Sequence, residues 1–187
     1  MTAICVPLFL KQGVDAEEAV AAAEEALRSA AVGSASLDFR NDAMLELRCD
    51  SATERQMLAA IDAARLPVIV TIRPRWEGGF SDHPESRRGA MLEAAMEAGA
   101  EYIDIELLAC EKSRAMRDAL SDAAEKNGAR MIVSSHSFGG RPADLRERLT
   151  RLRAISAARI LKIAWKAESL LDGFEALQMM ARRPAND

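Results

Sequence analysis

The sequence predicts an α/β domain in which six β/α units follow one another along the chain. Short runs rich in Val, Ile and Leu alternate strictly with longer stretches of helical composition and spacing. Such apolar runs are expected when helices cover one face of a parallel sheet. No strand is followed by a glycine-rich dinucleotide- or phosphate-binding motif, which argues against nucleotide binding. Two architectures fit this pattern, a doubly wound open sheet and a (β/α)8 barrel.

The predicted strands are the apolar runs of this alternation. They lie at Ile4–Phe9, Ala43–Arg48, Leu66–Arg73, Glu101–Leu107, Arg130–Ser135 and Ala158–Ala164. Pro67 stands near the start of the third strand, where a missing N–H matters least. Two longer loops are expected, at Gly33–Asp42 and at Pro74–Glu85.

The predicted helices fill the intervals between and after these strands. They lie at Val14–Ala31, Ala52–Ala64, Ser86–Ala98, Glu111–Lys126, Pro142–Ile155 and Ala167–Met180. Asp15 is the predicted N-cap of the first helix, and Asp50-Ser51 that of the second. Gly99 and Gly128 are placed to end the third and fourth helices. We expect Ala181–Asp187 to be a frayed tail.

Length and charge limit the classes of function. The 187 residues suffice for one domain with a core, and 49% hydrophobic and 29% charged residues are ordinary for a globular protein. A formal net charge of -4 predicts neither a nucleic-acid partner nor an anionic membrane surface as partner. The longest apolar runs have only strand length, so no membrane span is expected.

The N-terminus and the cysteines indicate a reducing cytoplasm. Met1–Phe9 has no basic leader and is too short for a signal peptide. The three cysteines, Cys5, Cys49 and Cys110, are odd in number and far apart. This argues against a disulfide framework, and the spacing matches no zinc pattern.

Ionisable side chains recur on one face of five consecutive strands. Side chains alternate between the two faces of a strand. This alternation places five sets opposite the main apolar face, near the strands' C-terminal ends: Glu46 with Arg48, Thr71 with Arg73, Asp104 with Glu106, Ser134 with His136, and Lys162. In a barrel, that position is the inner face near the catalytic mouth.

Lys162 is the strongest single candidate, because it interrupts the run Arg159-Ile160-Leu161-Lys162-Ile163-Ala164-Trp165, which is predicted to be a short buried strand. A lysine there must extend to water, pair with a carboxylate, or lose its proton. Desolvation lowers the pKa of an ammonium group, and a neutral lysine is a nucleophile towards carbonyl carbons. A strand-end lysine in water is the structural alternative.

The other candidates also have structural alternatives. Glu46 and Arg48 are compatible with a solvated ion pair, His136 with a core or surface histidine, and Glu77 with a loop charge. Asp104 and Glu106 are compatible with acceptors for loop hydrogen bonds. These alternatives do not explain why five strands carry ionisable groups in phase.

The residue types suggest chemistry on an anionic, hydroxylated carbonyl compound. Lys162 would attack a ketone to form an imine, which acidifies the neighbouring carbon. His136 would move protons, since its pKa lies nearest neutrality, and Glu77 would orient it. The only histidines are His83 and His136 and no Cys/His cluster forms, so no zinc site is expected.

Substrate contacts are expected from the second and third strands. Arg48 and Arg73 offer planar donors for hydroxyl or carboxylate oxygens. Glu46 can accept a hydrogen bond from a substrate hydroxyl.

These motifs resemble those of the type I 3-dehydroquinate dehydratases of the shikimate pathway of aromatic amino acid biosynthesis. The strings that agree in order and spacing are Leu45-Glu46-Leu47-Arg48-Cys49-Asp50, Pro67 with Thr71-Ile72-Arg73, Glu77-Gly78-Gly79, Tyr102-Ile103-Asp104-Ile105-Glu106-Leu107, Ser134-Ser135-His136-Ser137-Phe138 and Leu161-Lys162-Ile163-Ala164. The resemblance covers nearly the whole chain. It implies a (β/α)8 fold of the TIM-barrel type, with residues 1–187 forming a single, incomplete barrel domain of about six β/α units.

The resemblance also implies roles for the candidate residues. Lys162 matches the Schiff-base lysine, His136 the general acid/base and Glu77 the glutamate that supports the histidine. Glu46, Arg48 and Arg73 match residues that contact substrate. The implied reaction is dehydration of 3-dehydroquinate to 3-dehydroshikimate, without a metal or an organic cofactor.

Two features depart from the family pattern. Ser137 stands where the family usually has an aspartate, which should lower the pKa of the imidazole of His136 somewhat. The seventh and eighth strands of the family have no counterpart in the sequence, and with them go a substrate-binding arginine and a closing loop. Strands 1 and 6 should then be open edges, prone to pairing with another chain, as in a homodimer.

Three interpretations are compatible with the missing seventh and eighth strands. The chain is a fragment of a longer enzyme, a partner or second copy supplies the missing units, or the chain is a shortened paralogue with impaired turnover. The competing functional hypotheses are another Schiff-base lyase or aldolase, and a catalytically idle chain that binds a related ligand or serves as an interaction subunit.

Overall fold

The computed structural model describes residues 4–31 and 43–181, which form one sheet of six parallel strands. Each strand pairs with the next one in the sequence. The strands are β1 Ile4–Phe9, β2 Ala43–Arg48, β3 Val68–Thr71, β4 Tyr102–Glu106, β5 Arg130–Ser137 and β6 Ala158–Trp165. A doubly wound sheet would reverse its strand order part-way, whereas this order runs without reversal from β1 to β6. The barrel-type prediction is therefore confirmed, as a curled half-barrel of six β/α units.

Seven helices follow the strands within the described residues. They are α1 Ala16–Ala31, α2 Glu54–Ala63, α3 Glu85–Glu97, α4 Leu107–Lys112, α5 Arg114–Asn127, α6 Leu145–Arg153 and α7 Leu170–Ala181. A short 3-10 turn, Arg75–Glu77, lies between β3 and α3. Along this stretch no helix is long and apolar enough to cross a membrane.

The core lies between the apolar face of the strands and the helices that cover it. Leu45, Val70 and Ile103 from three neighbouring strands are fully buried there, as are Met57 and Met91 from the covering helices. In β2 the buried and half-buried positions alternate strictly. The apolar side chains of β2 are thus used by the core, and its polar ones project from the opposite, inner face.

The helix boundaries correct two of the predictions. Thr53, and not Asp50-Ser51, caps α2, forming a reciprocal capping box with Gln56. The fourth predicted helix, Glu111–Lys126, begins later, at Arg114, because the Ser113 side chain caps α5 by accepting from Met116 N. Its first two residues belong instead to a separate helix, α4, which ends at Lys112. The predicted cap of α1 is confirmed, since Asp15 Oδ1 accepts from Glu18 N at 3.0 Å.

The edges of the sheet are open in the part of the chain that the structure describes. There β1 pairs only with β2, and β6 pairs only with β5. The prediction that β6 is buried is wrong, because its outer edge has no covering strand and Ile160 remains 40% exposed. The predicted loop Gly33–Asp42 and the tail 182–187 lie outside the described residues.

A buried ion pair ties α3 to the sheet below the inner face. The side chain of Arg88 is fully buried, donates to Ile72 O at 2.8 Å and pairs with both Glu85 and Glu106. Glu106 also accepts from Arg73 Nη1 at 2.8 Å. Burial raises the pKa of Glu106 to about 7 in spite of both arginines. At neutral pH Glu106 is therefore near its titration midpoint, and it depends on these two cations for the charge that it keeps.

The first prediction concerns Arg88→Leu, with Arg87→Leu as its matched control. Removing Arg88 leaves the Ile72 carbonyl unpaired and Glu106 with one cation, so the free energy of unfolding should fall by about 3–5 kcal/mol. Arg87 precedes it on the same helix, but its side chain is 51% exposed and pairs with Glu54 on the surface. Its loss should cost less than about 1 kcal/mol. Urea denaturation followed by circular dichroism measures the free energy of unfolding of both variants. Equal losses in the two variants would contradict the claim that the buried Arg88 ion pairs stabilise the fold.

Candidate active site

The inner face of the half-barrel brings one lysine against two carboxylates from different strands. Lys162 Nζ on β6 lies 3.0 Å from Asp104 Oδ2 on β4 and 3.3 Å from Glu46 Oε1 on β2. Glu46 Oε1 also accepts from Thr71 Oγ1 at 2.8 Å. Four strands thus contribute to this contact, as the in-phase pattern of ionisable residues predicts.

Asp104 is the most tightly held member of this group. It is fully buried, and it accepts from Arg73 Nη2 at 2.9 Å and from Ser134 Oγ at 2.6 Å in addition to Lys162. Burial alone would raise its pKa, but Arg73, Lys162 and the hydrogen bond from Ser134 together hold that pKa below the usual value. Asp104 is therefore a carboxylate and not a carboxylic acid at neutral pH.

The pairing of Lys162 corrects the expectation of a lowered pKa. Desolvation lowers it, but Asp104 and Glu46 outweigh this effect, so the pKa of Lys162 lies above the ordinary value for lysine. The side chain is 34% exposed, because it lies on an edge strand. Of the three options given by the sequence, the structure shows the second, a lysine paired with carboxylates.

His136 and Glu77 form a second pair beside this group. His136 Nδ1 lies 3.1 Å from Glu77 Oε1, and the same oxygen accepts from the backbone N of His136 at 2.6 Å. In the β5–β6 register Ser134 is opposite Lys162, and His136 is opposite Ala164. His136 therefore lies two residues closer than Lys162 to the C-terminal end of the sheet, on the neighbouring strand.

Two glycines hold the turn that presents Glu77. Gly78 has φ 75°, a left-handed conformation, and a Cβ there would collide with the ring of Phe138. A Cβ on Gly79 would collide with the carbonyl of Arg73. Only glycine permits both close approaches, so the Glu77-Gly78-Gly79 string fixes the position of the carboxylate that faces His136.

Arg48 lines a cavity on the β1 side of the sheet. Its guanidinium pairs with Asp50 Oδ2 at 2.8 Å and lies 4.8 Å from the centre of the Phe9 ring. This cavity of about 800 Å³ is lined by Arg48, Phe9 and Phe80. The side of Arg48 that faces this cavity is open to a ligand. Asp50 was predicted to cap a helix, but it accepts hydrogen bonds from Arg48 and from the backbone N–H groups of Arg73 and Phe80.

Ser137 turns away from the histidine to its own loop. Its hydroxyl donates to Gly140 O at 2.8 Å. The Ser137 side chain therefore supports the loop after β5, while the carboxylate partner of His136 is Glu77.

Sequence reasoning placed the six candidate residues but missed part of what holds them. The structure joins Lys162 and Arg73 through Asp104 and joins Glu46 to this group through Lys162. It pairs His136 with Glu77 and sets Arg48 apart beside a cavity. The sequence placed Asp104 on the same face as Lys162 but did not predict that the two would pair. Arg88 gave no such signal, because its burial depends on how α3 packs on the sheet. Over the described ranges, no group of three or more His, Cys, Asp or Glu is placed to hold a metal ion.

Comparison with known proteins gives one consistent family. Residues 4–186 match the family model described as type I 3-dehydroquinase. A 3-dehydroquinate dehydratase of Syntrophobacter fumaroxidans is 33% identical over 147 residues, covering 77% of this chain and 59% of the relative. A 3-dehydroquinate dehydratase of Haloarcula marismortui is 41% identical over 131 residues, covering 67% of this chain and 55% of the relative. The chain thus spans between half and three-fifths of the length of these two curated relatives.

Solved structures show the same fold. The 3-dehydroquinate dehydratase of Geobacillus kaustophilus superposes with a TM-score of 0.73 at 25% identity, covering 95% of this chain and 67% of that one. The type I enzyme of Clostridium difficile, solved with covalently modified comenic acid, gives a TM-score of 0.75 at 22% identity, covering 99% and 72%. At that identity the second likeness concerns the fold alone.

The second prediction concerns the titration of Lys162. Because its pKa in the folded chain is raised, its pairing contributes stability that is fully present at neutral pH and is lost as the pH rises through that pKa. The side-chain ¹⁵N signal of Lys162 should therefore titrate above the ordinary range for lysine. Glu46→Gln should move the midpoint down, since one of two anions is removed. A wild-type midpoint below the ordinary value for lysine would show that desolvation outweighs the carboxylates.

Proposed function

Because the chain belongs to the type I 3-dehydroquinase family, we propose that it converts 3-dehydroquinate to 3-dehydroshikimate and water through an imine on Lys162. The observation that carries this proposal is the position of Lys162 on the inner face of β6, the strand next to β5, where His136 pairs with Glu77. A nucleophilic amine and a proton-transfer group on adjacent strands are the two parts that an imine-based elimination requires.

The first step is the formation of the imine. The Lys162 amine adds to the C3 ketone, and the resulting carbinolamine loses its oxygen as water. The ammonium must give up a proton before it adds, and Glu46, which is only partly buried, is the adjacent carboxylate with a solvent-facing side. The protonated imine then withdraws electrons from C2 and makes its proton acidic.

The second step is the elimination. His136 removes the C2 proton, the C1 hydroxyl leaves as water, and hydrolysis of the imine consumes one water and frees Lys162. The balance is one substrate in and one enone and one water out. Glu77 faces His136 Nδ1, so Nε2 is the ring nitrogen left to reach the substrate.

The proposed substrate-binding residues differ in how exposed they are and in how many contacts they already make. Arg48 beside the cavity is the proposed donor to substrate oxygens, and Glu46 the proposed acceptor from a substrate hydroxyl. Arg73 is 3% exposed, and it already donates to Asp104, Glu106 and Ser134. These contacts use three of the five N–H donors of the guanidinium, and burial limits access to the rest, so its larger contribution is to hold Asp104.

The open edges favour one second candidate function. The outer edges of β1 and β6 are unpaired along the described stretch, so no described strand closes the barrel between them. A chain with impaired turnover that binds a shikimate-like ligand, or acts as an interaction subunit, is consistent with that geometry. It differs from the leading proposal in one observable: ligand binding without product formation. Another lyase or aldolase on the same site would instead form the imine without releasing 3-dehydroshikimate.

The location and the assembly of the chain are also part of the proposal. A cytoplasmic location agrees with a metabolic substrate, and a single, incomplete barrel domain over residues 1–187 agrees with the continuous sheet of six strands. A homodimer would cover the open strand edges, and the exposed Leu170, Phe174 and Leu177 of α7 lie in the last β/α unit beside them. No metal or organic cofactor is needed for the steps above.

The third prediction is that Lys162→Ala abolishes both product formation and borohydride-trapped adduct. The amine is the only group in the proposal that bonds to substrate. Lys166→Ala is the matched control, because Lys166 lies four residues away and is exposed. Absorbance of the conjugated enone and intact mass measure the two quantities. Adduct at wild-type yield in Lys162→Ala would remove this lysine from the mechanism.

The fourth prediction separates the two steps. His136→Ala should still form the trapped adduct but should lose enone formation by about 10²-fold or more, because the C2 proton has no acceptor. His83→Ala, which changes the other histidine, should behave as wild type. Enone formation at the wild-type rate in His136→Ala would exclude the histidine as the base.

A further inference from the structure

We infer that Asp104 is the fixed counter-charge of the Lys162 nitrogen, paired with it as the ammonium and again as the protonated imine. The inference rests on the proposed function and adds a residue to it. Asp104 touches the atom that reacts, since its Oδ2 lies 3.0 Å from Lys162 Nζ. Its role would be to stabilise the cationic imine that acts as the electron sink.

Asp104 is held so that it cannot follow the substrate. It has no exposed surface, Arg73 Nη2 and Lys162 Nζ contact the same oxygen Oδ2, and Ser134 Oγ donates to the other oxygen. Ser134 in turn accepts from Arg73 Nη1 at 2.7 Å. A carboxylate fixed from both sides is a preorganised charge, which costs no reorganisation when charge develops nearby.

Glu46 differs from Asp104 in each of these respects. It is partly exposed, its one further partner is the Thr71 hydroxyl, and its contact with Lys162 is longer, 3.3 Å. Glu46 is therefore suited to accept a proton or a substrate hydroxyl. Asp104 is suited to remain charged throughout.

The charge balance favours a positive nitrogen at Lys162. In the free chain Asp104 and Glu46 both pair with Lys162, and Asp104 shares its other cation, Arg73, with Glu106. A neutral amine or neutral imine at Lys162 leaves Asp104 with only that shared cation and leaves Glu46 with no paired cation among the described contacts. A protonated imine restores both pairings. Coulomb attraction at this distance is stronger in a partly desolvated site than in water. The same carboxylate that makes the amine slow to deprotonate thus promotes the step after imine formation.

The test is Asp104→Asn, which keeps the shape and removes the charge. Two effects of opposite sign are expected. The ¹⁵N titration of Lys162 should move to lower pH, so that imine trapping extends to lower pH than in wild type. Enone formation should nevertheless fall by about 10²-fold, because the imine is less readily protonated. A buried asparagine that only disturbed the fold would reduce trapping and enone formation together, and circular dichroism would report it.

Asp118→Asn is the matched control, because Asp118 is exposed on α5 and pairs only with Arg117 among the described contacts. It should match wild type in both assays. Enone formation at the wild-type rate in Asp104→Asn, or an unchanged Lys162 midpoint, would overturn the inference. The titration needs no substrate, so it judges Asp104 even when the wild-type chain forms no adduct. A wild-type chain that forms no adduct would refute the proposed function. The shift of the Lys162 titration midpoint in Asp104→Asn would still decide whether Asp104 stabilises the charge of Lys162.

Discussion

The structure of the site depends on keeping Asp104 ionised where no water reaches it. A buried carboxylate keeps its charge only beside cations and hydrogen-bond donors. Arg73, Lys162 and Ser134 supply them from three other positions of the sheet. Arg73 is in turn fixed by Glu106, and Glu106 by Arg88 from helix α3. A chain of alternating charges thus runs from a helix on the outside, through the sheet, to the amine on the inner face.

This chain explains why the reactive groups occupy definite positions although the sheet is open on both sides. Strand β6 is an edge strand, and its lysine would be free to extend into solvent if it were unpaired. The two carboxylates draw it instead across β5 towards the middle of the inner face. His136 is set by a separate device, the glycine turn that presents Glu77. The amine and the imidazole are therefore positioned independently, which suits a reaction in which they act in succession.

Much of this could be predicted from the sequence, because the alternation of β/α units and the period-two alternation within each strand are local signals. They were enough to place Glu46, Arg73 and Lys162 on one face. The pKa direction of Lys162 could not be predicted, since it depends on which charges from β2 and β4 reach the nitrogen. Arg88 escaped notice for a similar reason, because its burial depends on how α3 docks on the sheet. The capping box at Thr53 was a local signal that was overlooked in favour of Asp50.

The central claim is that Lys162 bonds to substrate, and the most direct test is to map the site of the trapped adduct. The wild-type chain is mixed with 3-dehydroquinate and borohydride, digested, and its peptides are sequenced by mass spectrometry. The chain contains five lysines, at positions 11, 112, 126, 162 and 166. The account predicts a single modified peptide that carries the adduct on Lys162. Adduct spread over the exposed lysines, or a folded chain with no adduct, would contradict it.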